Sequence, residues 1–178
     1  MDEQRDLELI EQARKGNARA FEELVNTHYR TIFKMAFKYC GNQSDAEDIT
    51  QDACMKLARG LDSFKGDSAF TSWLYRLVIN CAKDYFKKHN RHPSGADNLE
   101  LAQKPDKKED RLYAKEVLAA VYELPEGEKD ALLLVMSEGL SHAEAAKALG
   151  CKESTISWRI HEARKKLAAQ FEKDEKYG

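Results

Sequence analysis

Proline and alternating runs of β-branched residues are both scarce in this sequence. The 178 residues include only three prolines, Pro93, Pro105 and Pro125. Because a proline inside a helix removes a backbone donor and clashes with the preceding turn, their scarcity leaves long segments free to be helical. Apolar residues recur instead at intervals of three and four, the helical period. We therefore predict an all-α protein.

Long apolar runs and paired cysteines are missing too. No segment approaches the roughly eighteen apolar residues of a membrane span, and the start, MDEQRDLELIEQ, has neither the basic nor the apolar region of a signal peptide. The cysteines form no CxxC pair, which argues against a zinc site and a disulfide framework; they are Cys40, Cys54, Cys81 and Cys151. We expect a cytoplasmic protein with no membrane insertion, no metal and no cofactor.

Recognisable catalytic motifs are also absent. The histidines form no HExxH or other ligand spacing; they are His28, His89, His92, His142 and His161. The sequence contains no glycine-rich phosphate loop, no GxSxG and no Cys/His nucleophile pattern. We expect no catalytic site, and an enzyme stays a remote alternative that a panel of hydrolase assays would test.

The charges nearly cancel, with 29 basic and 31 acidic residues, so any nucleic-acid footprint must be local. One segment, SAFTSWLYRLVINCAKDYFKKHNR, nevertheless concentrates cations and aromatics. As a helix it has a core stripe of Leu74, Leu77, Val78, Cys81 and Tyr85. The opposite side carries what we call the basic strip: Trp73, Arg76, Asn80, Lys83, Lys87 and Arg91. The alternative is an ordinary solvated face.

Helical segments of the N-terminal half are separated by polar breaks. We predict a helix from Asp6 to about Gly16, and a longer helix capped by Asn17 that runs to Tyr39. Ser44, with Glu47 at the capping-box position, is expected to cap a third helix that ends near Leu61. The basic helix follows the loop DSFKGD.

Residues 93–110 differ from both flanks, with two prolines, one glycine and eight charges, which predicts a flexible tether. Four more helices are expected after it: Leu112–Glu123, Gly127–Ser137, His142–Leu149 and Glu153–Glu172. The resulting division is a domain at 1–92, a linker at 93–110 and a domain at 111–178. Each domain carries a basic helix, and a tether keeps the second helix near the ligand once the first is bound. This arrangement favours bivalent contact with DNA.

The second domain contains a specific motif, LSHAEAAKALGCKESTISWRIHEARKKL. Ser141 and Glu144 fit a capping box, Gly150 fits a sharp turn, and Ala146 with Ile156 allows two helices to cross closely. This pattern predicts a helix-turn-helix whose second helix enters the major groove. Its buried stripe would be Ile156, Ile160, Ala163 and Leu167. A hairpin without a ligand and a protein-binding version of the motif remain alternatives.

The two segments DAEDITQDACMKLARGLDSFKGDSAFTSWLYRLVINCAKDYFKKHNR and ELPEGEKDALLLVMSEGLSHAEAAKALGCKESTISWRIHEARKKL, in that order, resemble bacterial RNA polymerase sigma factors. The chain length fits the extracytoplasmic-function (ECF) subfamily, which has only the region 2 and region 4 domains. The resemblance implies a chain that binds core RNA polymerase, directs it to promoter DNA and assists melting. Implied partners are the β′ clamp coiled coil, the β flap, promoter DNA and an anti-sigma factor.

The resemblance also assigns roles to residues. The implied polymerase contacts are Asp48, Gln51, Asp52 and Lys56. The −10 element would be contacted by Phe64, Lys65, Ser68 and Phe70, in a loop that receives a flipped base, and by the basic strip. The −35 element would be contacted by Ser154, Thr155, Ser157, Trp158, Arg159, His161, Glu162 and Lys165. Residues 44–62 form an acidic helix, with five acids against two bases, and its acidic face carries Asp48, Gln51 and Asp52. Alternatively, this acidic face is merely solvated, Phe64 and Phe70 are core residues, and Trp73 anchors its helix to the core.

Two further expectations follow. The recognition helix departs from the family at Ser157, Trp158, His161 and Glu162, where relatives often place Arg, Ser, Phe and Arg, so we expect a different −35 preference. The main rival function is a helix-turn-helix regulator that acts without polymerase. That rival leaves the acidic helix and the loop of the first domain without a role.

Overall fold

The computed structural model describes residues 3–93 and 116–174, and side chains as far as residue 171. Within these ranges all regular structure is helical, which confirms the all-α prediction. The chain divides into two compact units, one formed mainly by the helices up to Arg91 and the other mainly by the helices that follow. The predicted tether lies outside the described residues except for Pro93.

The first unit contains four α-helices. They are α1 (Glu3–Arg14), α2 (Ala18–Cys40), α3 (Gln43–Gly60) and α4 (Phe70–His89), with a short 3-10 turn at Leu61–Ser63. Asn17 caps α2 as predicted, because its side-chain oxygen accepts from the backbone N–H groups of Arg19 and Ala20 at 3.1 and 3.2 Å.

The predicted cap of α3 is wrong. The helix begins at Gln43, so Ser44 lies inside its first turn. Gly41 has φ of 83° and turns the chain two residues before Gln43, which allows the helix to begin at Gln43. The Gln43 amide then donates to the Glu47 carboxylate at 2.8 Å, one turn further on.

The core of this unit lies where α3 packs against α4. Both helices bury apolar stripes, which include Ile49, Ala53, Leu57, Leu74 and Val78. A third face of α4 is buried as well, at Tyr75, Ile79 and Phe86, so these residues serve packing. A buried polar pair completes the core: Nε2 of His28 on α2 lies 2.7 Å from Asp6 Oδ1 on α1.

The second unit contains the predicted helix-turn-helix. Its helices are α5 (described over 116–122), α6 (Glu126–Leu132), α7 (His142–Leu149) and α8 (Glu153–Asp174), with a π-type turn at Leu133–Ser137 after α6. The capping box of Ser141 and Glu144 is complete at the start of α7. Gly150 has φ of 64°, the left-handed geometry that lets α7 end and α8 begin at once.

Candidate nucleic-acid and polymerase interfaces

The outer face of α8 is polar apart from one large aromatic. Ser154, Ser157, His161 and Lys165 are exposed, and the Trp158 side chain is 58% exposed. Ile156, Ile160 and Ala163 are buried and Leu167 is half-buried, so the predicted division of the helix into faces is confirmed. Because α8 packs its inner stripe on the unit, Trp158 is held outward by the whole helix.

His142 is a residue of this face that the sequence did not single out. Its Nδ1 lies 2.9 Å from the Ser157 hydroxyl, which itself donates to the Glu153 carbonyl at 3.2 Å. The start of α7 is therefore tied to the first turns of α8. The pair could not be recognised from spacing, since fifteen positions separate the two residues.

Arg159 lies on a flank of α8 and not on its outer face, so its expected −35 contact stays a prediction. Its guanidinium lies over Gly127 of α6, where an added Cβ would stand 3.0 Å from Cζ, and its Nη1 lies 4.0 Å from Cys151 Sγ. Position 159 follows the buried Ile156 by three residues, which directs it toward the unit. Thr155 and Glu162, both half-buried, lie at the edge between this flank and the outer face.

The basic strip of α4 is largely outward-facing. Arg76, Asn80 and Lys87 are exposed and Lys83 is half-buried. These four residues follow one another along α4 at steps of three or four, so they form a continuous row. The row matches the spacing that the sequence predicted.

Arg91, the last member of the predicted strip, lies elsewhere. The chain leaves α4 through Asn90, with φ of 49°, and Arg91 turns back to place Nη2 2.7 Å from Oδ1 of the buried Asp45 on α3. The Tyr85 hydroxyl lies 2.8 Å from the same oxygen and 3.2 Å from Asp48 Oδ2. Burial and these carboxylates raise the pKa of Tyr85 to about 12, so the phenol stays a proton donor. Arg91 therefore holds α3 and α4 together.

Phe64 and Phe70 are core residues, which corrects their expected role as stacking surfaces. The two side chains are only 4% and 1% exposed. Their ring centroids are 5.3 Å apart, and Trp73 stacks on Phe70 at 5.7 Å. In this conformation no open ring is presented to a base. The accessible predicted residues of the loop are Lys65, which is exposed, and Ser68, which is half-buried.

The acidic face of α3 is only partly free. Asp48 and Gln51 are exposed, whereas Asp52 is half-buried and lies 3.1 Å from the Lys56 ammonium. Lys56 also pairs with Asp84 of α4 at 2.9 Å, and this hydrogen bond is the main cause that raises the pKa of Lys56. Lys56 thus neutralises its neighbours and joins the two helices, and its expected polymerase contact stays a prediction.

Met55 belongs to this face, although the sequence analysis missed it. It follows Asp48 by seven residues and Gln51 by four, so all three share one side of α3. Its side chain is 49% exposed. The sequence did contain a signal for this exposed residue: Met55 is apolar, but it stands at a position where the amphipathic pattern of α3 calls for a polar side chain.

The described residues contain no group of side chains able to hold a metal ion. Over the same residues, no helix has both the length and the apolar character needed to cross a membrane.

Both units match known protein families. The family model for sigma-70 region 2 matches residues 24–92, and the one for sigma-70 region 4 matches residues 114–167. The chain is 34% identical to the ECF RNA polymerase sigma-E factor of Escherichia coli K12, over 91% of this chain and 92% of that protein. It is 31% identical to the RNA polymerase sigma-H factor of Pseudomonas aeruginosa, over 93% of each. This chain is a sigma factor of the ECF type.

Solved structures agree with the family. CnrH, in complex with the cytosolic domain of CnrY, is 28% identical, with a TM-score of 0.69 over 96% of this chain and 99% of that one. RpoE of Bartonella quintana, solved with the anti-sigma factor NepR, has the same fold at 20% identity, with a TM-score of 0.65 over 87% and 98%. The first unit of this sigma factor is accordingly region 2 and the second is region 4.

Arg91→Ala is expected to lower the urea midpoint of unfolding, because the buried Asp45 carboxylate loses its cation. Lys87→Ala is the matched control, since it removes an exposed cation of α4. Urea denaturation of the full chain followed by circular dichroism measures both variants. Equal urea midpoints for the two variants would contradict the structural role of Arg91. Arg91 would then again be expected to contact DNA with the basic strip.

Proposed function

We propose that this ECF sigma factor binds core RNA polymerase through α3, contacts the −10 element through α4 and its preceding loop, and contacts the −35 element through α8. The observation that carries the proposal is that region 2 exposes cations along α4, whereas region 4 exposes on α8 a polar face with Lys165 and Trp158. Cations along a helix neutralise phosphates and release counterions, which supplies affinity. The polymerase supplies the catalysis, and the chain acts where the polymerase is, in the cytoplasm.

The polymerase contact is proposed for Asp48, Gln51 and Met55. Residues 44–62 carry five acids against two bases, so this side of region 2 complements a basic partner such as the β′ clamp coiled coil. Met55 adds an exposed, flexible apolar side chain, which adapts readily to a partner surface. Of the two acids expected to contact polymerase, Asp48 is exposed and Asp52 is half-buried beside Lys56.

The −10 contact is proposed for the row Arg76, Asn80, Lys83 and Lys87. Its cations would follow the phosphate backbone, while the Asn80 amide can both donate to and accept from a base edge. Lys65 and Ser68 of the loop are the accessible polar groups next to this row along the chain. They would meet an extruded base in place of the buried phenylalanines.

Region 4 is proposed to contact the −35 element through Ser154, Ser157, Trp158, His161 and Lys165. Trp158 can cover a thymine methyl group, and Glu162 can accept from a cytosine amino group. The β flap is the expected protein partner of this unit. We also infer a protein inhibitor of the anti-sigma type, because the relative CnrH was solved in complex with a cytosolic protein domain.

Transcription with core polymerase and genomic DNA fragments tests the proposed function, with mapping of the start sites. Asp48→Lys should abolish most transcription by weakening core binding, because it places a cation against a basic partner. Glu22→Lys makes the same charge change on the exposed side of α2 and should not. Core affinity is measured directly by titration of labelled sigma. A chain that never stimulates core polymerase would favour the rival regulator.

Lys87→Ala should weaken binding of the holoenzyme to all its promoters alike, because a phosphate contact carries no sequence information. The slope of log affinity against log salt should fall by about one. Lys34→Ala, which removes an exposed cation from α2, serves as the control. A salt slope that is the same for wild type and Lys87→Ala would remove α4 from the promoter contact.

Trp158→Ala and Glu162→Arg should each change the preferred −35 bases. One good base contact discriminates by about 1–3 kcal/mol, so a single substitution suffices to reorder preferences. Selection from promoters randomised at −35, with Gln170→Ala as control, measures the change. Identical preferences in both variants would place specificity in region 2.

A further inference from the structure

An arginine on α1 closes the turn that leads into the −10 loop. Nη2 of Arg14 donates to the Leu61 carbonyl at 2.9 Å and also to the Phe64 carbonyl. Its Nε lies 3.8 Å from the Asp62 carboxylate. Forty-seven or more positions separate Arg14 from these acceptors, so the contact joins α1 to a turn that is distant in the sequence.

The chemistry of the acceptors explains why an arginine stands there. The chain passes from α3 into the Leu61–Ser63 turn, where the Leu61 carbonyl accepts from the Phe64 backbone N–H at 3.2 Å and takes Arg14 as a second donor. Carbonyls at the end of a helical run lack the donors that the helix interior provides one turn further on. They also carry the negative end of the helix dipole. In the planar fork of the guanidinium, Nη2 donates to both carbonyls while Nε faces the Asp62 carboxylate. The single nitrogen of an ammonium cannot reproduce this arrangement of two separate donor atoms.

The two carbonyls that Arg14 binds lie just before the loop of residues 65–69. On the inner side the Phe64 ring is buried and packed against Phe70 and Trp73. The Phe64 carbonyl is held by Arg14. The next residues, Lys65, Gly66 and Asp67, are exposed. The chain is buried again at Phe70, the first residue of α4. The direction in which Lys65 and Ser68 leave the core is thus set by the packed ring and by the Arg14 guanidinium.

We propose that Arg14 is a positioning residue for discrimination of −10 bases: it orients the loop of residues 65–69 without contacting DNA itself. The inference rests on the proposed function, in which that loop meets the base. It gives α1 a part in promoter choice, although α1 precedes residue 24, where the match to region 2 begins.

Holoenzymes with Arg14→Met and Arg14→Lys are compared with wild type on promoters randomised at −10. Arg14→Met removes the donors and should flatten the preference at the most selective −10 base by about tenfold, the size expected for lost hydrogen bonds from a charged group. Arg14→Lys keeps the cation but not the fork and should flatten it partly. The −35 preference and the affinity for core polymerase should stay at wild-type values.

Arg5→Met is the matched control. Arg5 is also on α1 and pairs with Glu23 of α2 at 2.7 Å, so its loss removes an ion pair between helices without touching the loop. Its −10 preference should equal that of wild type. A −10 preference unchanged in Arg14→Met overturns the inference, and so does a loss that is matched by an equal loss of core affinity. If Arg14→Met does not fold, Arg14→Lys is judged in its place: a wild-type −10 preference, or a loss matched by an equal loss of core affinity, overturns the inference.

Lys65→Ala separates this inference from the proposed function. If Lys65→Ala alters the −10 preference and the Arg14 variants do not, the loop contacts DNA and only the role of Arg14 is wrong. If wild type shows no −10 preference and Lys65→Ala changes nothing, the proposed contact of the loop fails and the inference falls with it.

Discussion

The packing of α3 against α4 is the constraint on which region 2 depends, because the two helices carry opposite charges on their outward faces. Their apolar stripes bury Ile49, Leu57, Leu74 and Val78. Ion pairs then cross between the helices outside this core, from Lys56 to Asp84 and from Arg91 to Asp45. A chain with a net charge of −2 can thereby offer an acidic surface to one partner and a basic surface to another. Each surface works locally, since salt screens charges beyond about 10 Å.

These crossing pairs also remove charges from the surfaces that they join. Lys56 and Arg91 seemed available to partners when the helices were considered singly, but both are used inside the unit. Asp45 is buried, and removing its cation would leave its carboxylate with less compensation for the loss of water. The residues that stay exposed are Asp48, Gln51 and Met55 on α3 and Arg76, Asn80 and Lys87 on α4. The partners therefore meet fewer charges than the helical pattern suggests.

In region 4, too, some of the cations are engaged by other residues of the same unit. Lys166 pairs with the buried Glu128 of α6 and Arg159 covers Gly127, so two of the cations on α8 face inward or sideways. The outer face is left with Lys165 as its cation and with Trp158, which stands further into solvent than the other tryptophan, Trp73. A face with few cations gains little from unspecific attraction to phosphates, and direct contacts to bases must then carry more of its selectivity.

The sequence by itself determined the all-α class, the helix-turn-helix with its capping box, and the buried and exposed faces of α4 and α8. These features are local: a helix repeats every 3.6 residues, so spacing decides which side chains share a face. Only the tertiary structure decided which of the exposed polar residues are already engaged. Arg91, Lys56 and Arg159 find partners on other helices, and Phe64 is covered by rings from α4. Arg14 is the sharpest case, because nothing near it in the sequence indicates that its acceptors are the carbonyls of a distant turn. Spacing along one helix carries no information about such pairs, since they form only when separate helices pack.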